Sequence, residues 1–421
     1  MAAAVQDRAR AAFLPVDRQL GRRARASVEA IAETLAGDEE DAHDPTLATG
    51  TAGVALFLAY AGRSFGSERW SRAAALRLSA ALAAAPRRCS SAALFGGLLG
   101  PVWVAAHLAR EGLLPLAFER AVRPADALIG GLCRRAGDTA PVELMYGLAG
   151  YGVAALERGG NREAGRALEE AVRRIVRRAE RDGSGVRWAT PFGDYEYNLG
   201  LAHGVPGVAA FLARAAAAGP GDDEELRSVI SGALRWTWRM QRRGGALRFP
   251  AMTGRAAGRP ARSRLGWCYG DLGVASAMAM ASRVTGDRRW CARARALALR
   301  AGFLPPKLAG VADASLCHGA AGVAHLCGRL GRALRVPALL RAARRWLRRA
   351  VDFHRPDVGG IAGLEPVPGP APGRAPTPGE RRCFLIGAAG VGLVLLEALG
   401  PEPPAWDRVL LLSAPEVGGW R

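Results

Sequence analysis

The fold is decided by a pattern seen most clearly in the segment Gly387-Ala388-Ala389-Gly390-Val391-Gly392-Leu393-Val394-Leu395-Leu396. Two glycines three positions apart precede an apolar run without a polar face, which is typical of a helix buried on all sides. The pattern recurs through the chain, with glycine pairs at Gly50/Gly53, Gly97/Gly100, Gly147/Gly150, Gly204/Gly207, Gly270/Gly273, Gly319/Gly322 and Gly387/Gly390. Self-similarity of this kind indicates a repeat architecture.

Polar, arginine-rich segments alternate with these apolar runs. In Asn161–Arg181 the apolar residues recur at the spacing of one helix face, and Pro337–Val351 has the same character. Strand-like alternation is scarce. Each repeat therefore predicts an apolar inner helix and an amphipathic outer helix. We expect an all-α fold, an α/α toroid of seven inner and seven outer helices with the GxxG turns at one end. An open solenoid is the alternative arrangement.

The repeats occupy most of the sequence, so we predict a single domain over residues 1–421 with a repeat core of about 47–399. Two intervals between repeats are long. They predict insertions at Arg242–Arg264 and at Pro356–Arg382, the second an irregular loop because of its prolines. The uncharged stretch Cys89–Ala109 is long enough to span a bilayer. It contains glycines and fits the repeat register, so we interpret it as a buried helix with its preceding loop.

Composition and charge limit the class of protein. The chain has 421 residues, of which 50% are hydrophobic, and this excludes intrinsic disorder. The formal net charge is +20, almost wholly from arginine because Lys307 is the only lysine. This charge reflects either coding bias in a GC-rich genome or a surface that attracts an acidic partner, such as a leader peptide. We expect no nucleic-acid partner.

Several sequence features point to the cytoplasm. The seven cysteines are irregularly spaced and make a poor disulfide framework. Residues Met1 to Arg10 lack the apolar region of a secretory signal. We expect a cytoplasmic protein whose membrane association is at most peripheral. The sequence has neither a dinucleotide-binding fingerprint nor a phosphate-binding loop, so we expect no use of ATP.

Chemically active residue types lie just before three of the glycine pairs. Cys268, Cys317 and His318 occupy such positions, and His203 precedes Gly204. Equivalent positions of a ring converge on its axis, so we expect these side chains to share one site. Two cysteines and a histidine are typical zinc ligands, and three protein ligands with one open position are typical of catalytic zinc. The alternative is two buried cysteines and a core histidine. His325 and Cys327 lie further along the sixth inner helix, and we interpret them as core residues.

Three motifs resemble signatures of the lanthionine synthetase C-like family, the lantibiotic cyclases. They are Leu201-Ala202-His203-Gly204, Gly266-Trp267-Cys268-Tyr269-Gly270-Asp271 and Leu316-Cys317-His318-Gly319. The seven glycine pairs match the sevenfold repeat of that family, and the resemblance extends from about Leu47 to Leu399. It implies an α/α toroid with one zinc ion per chain, held by Cys268, Cys317 and His318. It also implies that the active site contains His203, Arg264 and Tyr269.

The resemblance further implies an enzyme, a lanthionine synthetase that forms a carbon–sulfur bond. A cysteine thiolate of a ribosomally made precursor peptide would add to a dehydrated serine or threonine and close a lanthionine or methyllanthionine ring. We expect His203 to be the general acid, since histidine ordinarily titrates near the working pH. Arg264 would stabilise the enolate or hold His203 or Glu143, and Tyr269 would be a supporting donor or a proton source. The family often has aspartate where this chain has Glu143.

The expected partners are the dehydrated precursor peptide with its leader and a separate dehydratase. The segment Asp194–Tyr197 is a candidate for lining the mouth through which the peptide enters. Two other functions fit parts of the pattern. One is a non-catalytic member of the same family that binds thiols such as glutathione or acts as an adaptor. The other is a zinc-dependent alkyl transferase on an α/α toroid, like the protein prenyltransferases, although its motif order differs.

Overall fold

The computed structural model describes residues 13–37, 44–219, 224–254, 261–355, 360–364 and 376–413. Within these ranges the chain forms seventeen α-helices and only two small two-stranded sheets. The prediction of an all-α fold is confirmed.

An inner ring is formed by the apolar helices that follow the glycine pairs. Each helix begins one or two residues after the first glycine of its pair and is buried along most of its length. These helices are α2 (Thr51–Phe65), α4 (Leu99–Arg110), α7 (Leu148–Glu157), α9 (Val205–Ala218), α11 (Asp271–Thr285), α14 (Ala320–Ala333) and α17 (Ala388–Leu396). Each contacts the next, and α17 contacts α2. The ring is therefore closed, and the open solenoid is excluded.

An outer layer of amphipathic helices surrounds this ring. It consists of α1 (Arg18–Gly37), α3 (Glu68–Arg88), α6 (Pro124–Arg135), α8 (Arg162–Arg177), α10 (Glu224–Arg239), α12 (Arg288–Gly302) and α15 (Pro337–Asp352). Helix α8 begins where the Asn161 side chain accepts a hydrogen bond of 2.8 Å from the backbone N–H of Ala164. Helix α1 lies before the predicted repeat core and packs on α17. Helix α1 thus completes the outer layer.

Short elements connect the repeats. They are α5 (Ala117–Ala121), α13 (Pro306–Ala309), α16 (Pro378–Arg382), the hairpin of β1 (Glu180–Asp182) and β2 (Gly185–Arg187), and the pair of β3 (Tyr197–Asn198) and β4 (Met252–Thr253). The predicted buried helix within Cys89–Ala109 is α4, after a loop. The proline-rich centre of the second predicted insertion, residues 366–372, lies outside the described residues. No helix in the described part of the chain is long and apolar enough to cross a membrane.

Close packing explains the glycine pairs. A Cβ added to the second glycine of any pair would lie within 3 Å of the carbonyl oxygen six residues earlier, for example 1.8 Å from Leu316 at Gly322. The first glycine meets the backbone of its own turn, as at Gly50, where a Cβ would lie 2.1 Å from the Asp44 oxygen. Among the first glycines only Gly270 has a positive φ, of 90°. Steric contact, rather than a left-handed backbone, therefore accounts for the other six.

The far end of the ring is filled by the C-terminal 3₁₀-helix Trp406–Leu410. Its charged side chains meet residues at or near the C-terminal ends of inner helices. Arg408 pairs with Glu111 and lies 3.7 Å from Glu157, and Asp407 pairs with Arg329. These helices start at the glycine pairs, so the charged side chains of this segment lie toward the opposite end of the ring from the turns. Its Leu410 oxygen accepts a hydrogen bond from Trp267 Nε1, beside the turns.

His325 and Cys327 are fully buried, which confirms their prediction as core residues. The ring of His325 lies between two buried carboxylates, 2.6 Å from Glu397 and 2.9 Å from Asp407. Burial lowers the pKa of His325, but the charges of Glu397 and Asp407 outweigh it and raise the pKa to about 9. This histidine is therefore a buried cation that joins α14 to the C-terminal segment.

Candidate metal centre and active site

The residue directly before each glycine pair is accessible to solvent, although most of the turn around it is buried. These seven residues are all exposed or half-buried, whereas the residue before each of them is buried. They are Thr49, Gly96, Tyr146, His203, Tyr269, His318 and Ile386. Because the turns occupy one end of a closed ring, these residues surround its opening, which we call the mouth.

Backbone hydrogen bonds join neighbouring turns at the mouth. Trp267 N–H donates to the Cys317 oxygen at 2.8 Å, and Cys317 N–H donates to the Leu385 oxygen at 2.8 Å. The chain of bonds continues from Leu385 to Ala48 at 3.2 Å and from Ala48 to Phe95 at 2.9 Å. The cysteine-bearing turns are thus fixed by backbone bonds as well as by side-chain packing.

Cys268, Cys317 and His318 come together at the mouth. Their ligand atoms all lie within 4.8 Å of one another, and both cysteines are buried. Among the described residues this is the one group of three or more histidine, cysteine or acidic side chains arranged to hold a metal ion. His203 is not part of it. The sequence placed these residues at equivalent turns, and the fold brings the two turns side by side.

The surroundings of His318 fit a metal ligand. Its Nδ1 is buried and has no hydrogen-bond partner within the described residues. Its Nε2 lies 3.8 Å from the Asp313 carboxylate, which is held in turn by the backbone N–H of Ser315 at 2.8 Å. A carboxylate that faces the second ring nitrogen commonly orients a metal-binding histidine. Sulfur and imidazole donors are those that zinc prefers, so the donor set fits zinc.

The pKa values of the two thiols are shifted in opposite directions by their proximity. The thiol of Cys317 donates a hydrogen bond to the sulfur of Cys268 and holds the pKa of Cys268 well below its ordinary value. His318 and the positive charge of Arg264 act in the same direction, against burial. The same hydrogen bond raises the pKa of Cys317. A metal ion bound between the two sulfurs would favour the thiolate form of both.

A second group lies at the same mouth, around Glu143. The Glu143 carboxylate is buried and accepts hydrogen bonds from the backbone N–H groups of Met145 at 2.9 Å and Tyr146 at 2.7 Å. Its Oε2 also lies 3.0 Å from Nδ1 of His203. An ionised carboxylate only accepts hydrogen bonds, so Nδ1 carries the proton. The His203 side chain is 31% exposed, which leaves Nε2 accessible from the mouth.

Tyr269 and Arg264 lie beside the cysteines. The Tyr269 hydroxyl accepts a hydrogen bond of 3.1 Å from the Asn198 side-chain amide. Burial, together with the charges of Cys268 and Cys317, raises the pKa of Tyr269. Arg264 is exposed, and its positive charge lowers the pKa of both thiols, which places it on their side of the mouth.

Sequence reasoning assigned no role to Asn198, Asp313, Tyr146 or Gly96. Asn198 and Asp313 lie six residues before the first glycine of their pairs, and Asp44 has the same offset. Each side chain accepts the backbone N–H two residues later, the geometry of an Asx turn. The recurring offset was visible in the sequence. The contacts that Asn198 and Asp313 make with Tyr269 and His318 were not.

A closed ring of inner and outer helices with two thiols and an imidazole at its mouth defines an α/α toroid with a candidate metal centre. A family model described as lanthionine synthetase C-like protein matches residues 41–411, which is most of the chain. The chain therefore belongs to the lanthionine synthetase C-like family, and the resemblance noted in the sequence is confirmed.

Among solved structures, the fold is similar to that of nisin cyclase. The two structures superpose with a TM-score of 0.70 at 16% sequence identity, over 94% of this chain and 98% of that chain. At this identity the similarity concerns the fold. No curated protein sequence matches the chain.

Proposed function

We propose that this protein is a zinc-dependent peptide cyclase that forms lanthionine or methyllanthionine rings. In this reaction the thiol of a substrate cysteine adds across the double bond of a dehydrated serine or threonine in a ribosomally made peptide. The observation that carries the proposal is the presence at one mouth of the Cys268–Cys317–His318 group and the Glu143–His203 pair. The first suits activation of a thiol, and the second suits transfer of a proton.

Cys268, Cys317 and His318 would hold the zinc ion. A zinc ion held there would lower the pKa of a substrate thiol and make its thiolate available at neutral pH. The Asp313 carboxylate lies 3.8 Å from Nε2 of His318 and would help to orient its ring. Trp267 supports the turn that carries Cys268, because its Nε1–H donates a hydrogen bond of 2.9 Å to the backbone oxygen of Leu410.

His203 supplies the proton that the reaction requires. When the thiolate attacks the β-carbon, the electrons of the double bond form an enolate, which must take a proton at Cα. Glu143 keeps Nδ1 of His203 protonated, so the imidazolium releases its proton from Nε2, the atom accessible from the mouth. The substrate thiol loses one proton and Cα gains one, so the peptide mass is unchanged.

Arg264 and Tyr269 assist at the same step. The enolate carries negative charge on its oxygen, and a nearby guanidinium stabilises such charge. We assign this role to Arg264 because its charge already acts on the neighbouring thiols. The hydroxyl of Tyr269 accepts its hydrogen bond from Asn198, which leaves its own hydrogen to be donated toward the substrate. Tyr269 is thus a supporting donor.

The substrate in this proposal is a dehydrated precursor peptide in the cytoplasm. A peptide with dehydrated residues must be made before it can be cyclised, so a separate dehydratase is the expected upstream partner. The exposed arginines of the outer helices suit attraction of an acidic leader segment.

A thiol-alkylation assay tests the proposal. The protein is incubated with a synthetic peptide that contains one dehydroalanine and one cysteine, and the remaining thiol is alkylated and detected by its mass. We expect the wild-type protein to protect the peptide from alkylation and Cys317→Ala to lose this protection. Cys291→Ala is a matched control, because Cys291 is half-buried on the outer helix α12. Full alkylation with the wild-type protein would contradict catalysis and favour a thiol-binding or adaptor role.

A further inference from the structure

One position of the mouth has no side chain. Gly96 occupies the place where each of the other six repeats has a larger residue. The fold of the described residues does not require this glycine, because its φ is not positive and, among them, an added Cβ would meet only Tyr146 Cε1, at an ordinary 3.9 Å. The next residue contrasts with it, since a Cβ on Gly97 would lie 2.5 Å from the Ala93 nitrogen. Gly96 therefore leaves a gap in the mouth, and packing of the fold does not explain why this residue is glycine.

Tyr146 forms one wall of this gap. It is 53% exposed, which is unusual for a large aromatic residue, and its Cε1 edge points toward Gly96. Its ring stacks on His203, with 5.8 Å between the ring centroids and 26° between the planes. Its backbone N–H is bound by Glu143, whose carboxylate also binds His203. Tyr146 and His203 are thus held together by stacking and by one shared carboxylate.

Building on the proposed function, we infer that Gly96 and Tyr146 form a slot for the dehydrated residue of the substrate peptide. A dehydrated residue is planar and largely apolar, and planar groups pack well on aromatic rings. A glycine lets peptide backbone approach where any side chain would block it. A dehydroalanine or dehydrobutyrine in this slot lies next to His203, the proposed proton donor at Cα.

The slot also gives Tyr146 a positioning role. By stacking on one side of His203, it restricts rotation of the imidazole about its side-chain bonds. A fixed imidazole beside a fixed planar substrate delivers the proton to one face of the enolate. We therefore expect Tyr146 to influence the stereochemistry of the ring as well as the rate.

Two pairs of variants test the slot, with a fluorescein-labelled peptide that contains one dehydroalanine and one cysteine as the probe. Binding is measured by fluorescence anisotropy, and cyclisation by thiol alkylation. Gly96→Ala adds only a Cβ with an ordinary contact in the folded chain, so it should keep the wild-type stability and raise Kd less than Gly96→Leu. Gly96→Leu fills the gap and should raise Kd and KM by about tenfold, while zinc content and thermal stability stay unchanged. The same peptide with serine in place of dehydroalanine should bind more weakly to the wild type and lose less from Gly96→Leu.

The Tyr146 pair separates stacking from the hydroxyl group. Tyr146→Phe keeps the stacked ring, so it should give a single stereoisomer and lose less activity than Tyr146→Ala. Tyr146→Ala should lower kcat by about tenfold, since an aromatic stack contributes ~0.5–1.5 kcal/mol, and should give a mixture of stereoisomers.

The outcomes distinguish the slot from the proposed function. Equal binding by Gly96→Leu and Gly96→Ala would overturn the slot, and a single stereoisomer at full rate from Tyr146→Ala would overturn the positioning role. If the wild type binds the probe without cyclising it, the proposed function fails, while the Gly96 binding comparison still decides the slot. If the wild type does not bind the probe, the slot is refuted as well.

Discussion

Replacing Glu143 by glutamine removes the negative charge beside His203 and changes little else in shape. The carboxylate accepts three N–H groups, from Met145, Tyr146 and the His203 ring. A glutamine side chain has one oxygen, so its NH₂ group must face at least one of these donors. The best arrangement keeps the oxygen toward His203 and loses the charge. A hydrogen bond to a charged group contributes ~1.5–3 kcal/mol, so loss of the charge that holds the His203 ring should lower kcat roughly ten- to hundredfold.

Steady-state cyclisation of the dehydroalanine peptide measures this effect, and zinc content serves as a second readout. We expect Glu143→Gln to retain its zinc, because Glu143 is not part of the cysteine–histidine group. Glu143→Asp keeps the charge on a shorter side chain and should lose less activity than Glu143→Gln. Glu169→Gln, on an exposed position of α8, is a matched control with no expected effect. A Glu143→Gln enzyme within about twofold of the wild-type kcat would refute the proposed coupling between this carboxylate and His203.

Three further substitutions test other parts of the structure. His203→Asn should keep its zinc but lower cyclisation by ~10²–10⁴-fold and give mixed stereochemistry, as seen by mass and chiral analysis; loss of zinc would instead make His203 a ligand. His325→Gln removes a cation held by Glu397 and Asp407. Because the folded pKa of His325 is raised to about 9, its contribution to the free energy of unfolding is present below pH ~6.5 and is lost as the pH rises through 9. Denaturant titrations should show this decline in the wild type, and an equal decline in the variant would contradict it. Trp267→Phe leaves the Leu410 oxygen without its buried donor and should lower the free energy of unfolding by ~1–3 kcal/mol, measured by the same denaturant titration. An unchanged midpoint of denaturant unfolding would show that this hydrogen bond contributes nothing to stability.

The inner ring was predictable because its constraints are local. The second glycine of each pair contacts the backbone six residues earlier in the same turn. The sequence of a single repeat is therefore enough to predict the turn that precedes its inner helix. The cysteine–histidine group was predictable for a related reason. Equivalent positions in equivalent turns must lie at the same end of a ring, whether or not the sequence shows how the ring closes.

The position of the 3₁₀-helix Trp406–Leu410 inside the ring was not predictable. It depends on buried charged pairs between distant parts of the chain, such as His325 with Asp407 and Arg408 with Glu111. Such pairs have no periodic pattern. The sequence marks His325 as a core residue but does not show its partners, and it gives no sign that Asp407 and Arg408 are buried. The outer helix α1 was missed because it precedes the first glycine pair and packs on the last inner helix. The stacking of Tyr146 on His203 joins two repeats through a contact that no spacing reveals.

The central claim is that Cys268, Cys317 and His318 hold a zinc ion, and elemental analysis tests it most directly. Protein purified in metal-free buffer is analysed for metal content, with wild type, Cys317→Ala and the control Cys291→Ala treated identically. We expect about one zinc per chain in the wild type and in Cys291→Ala, and much less in Cys317→Ala, with all three proteins folded by circular dichroism. Full zinc retention by Cys317→Ala, or folded wild-type protein that binds no zinc when the metal is supplied, would contradict the account.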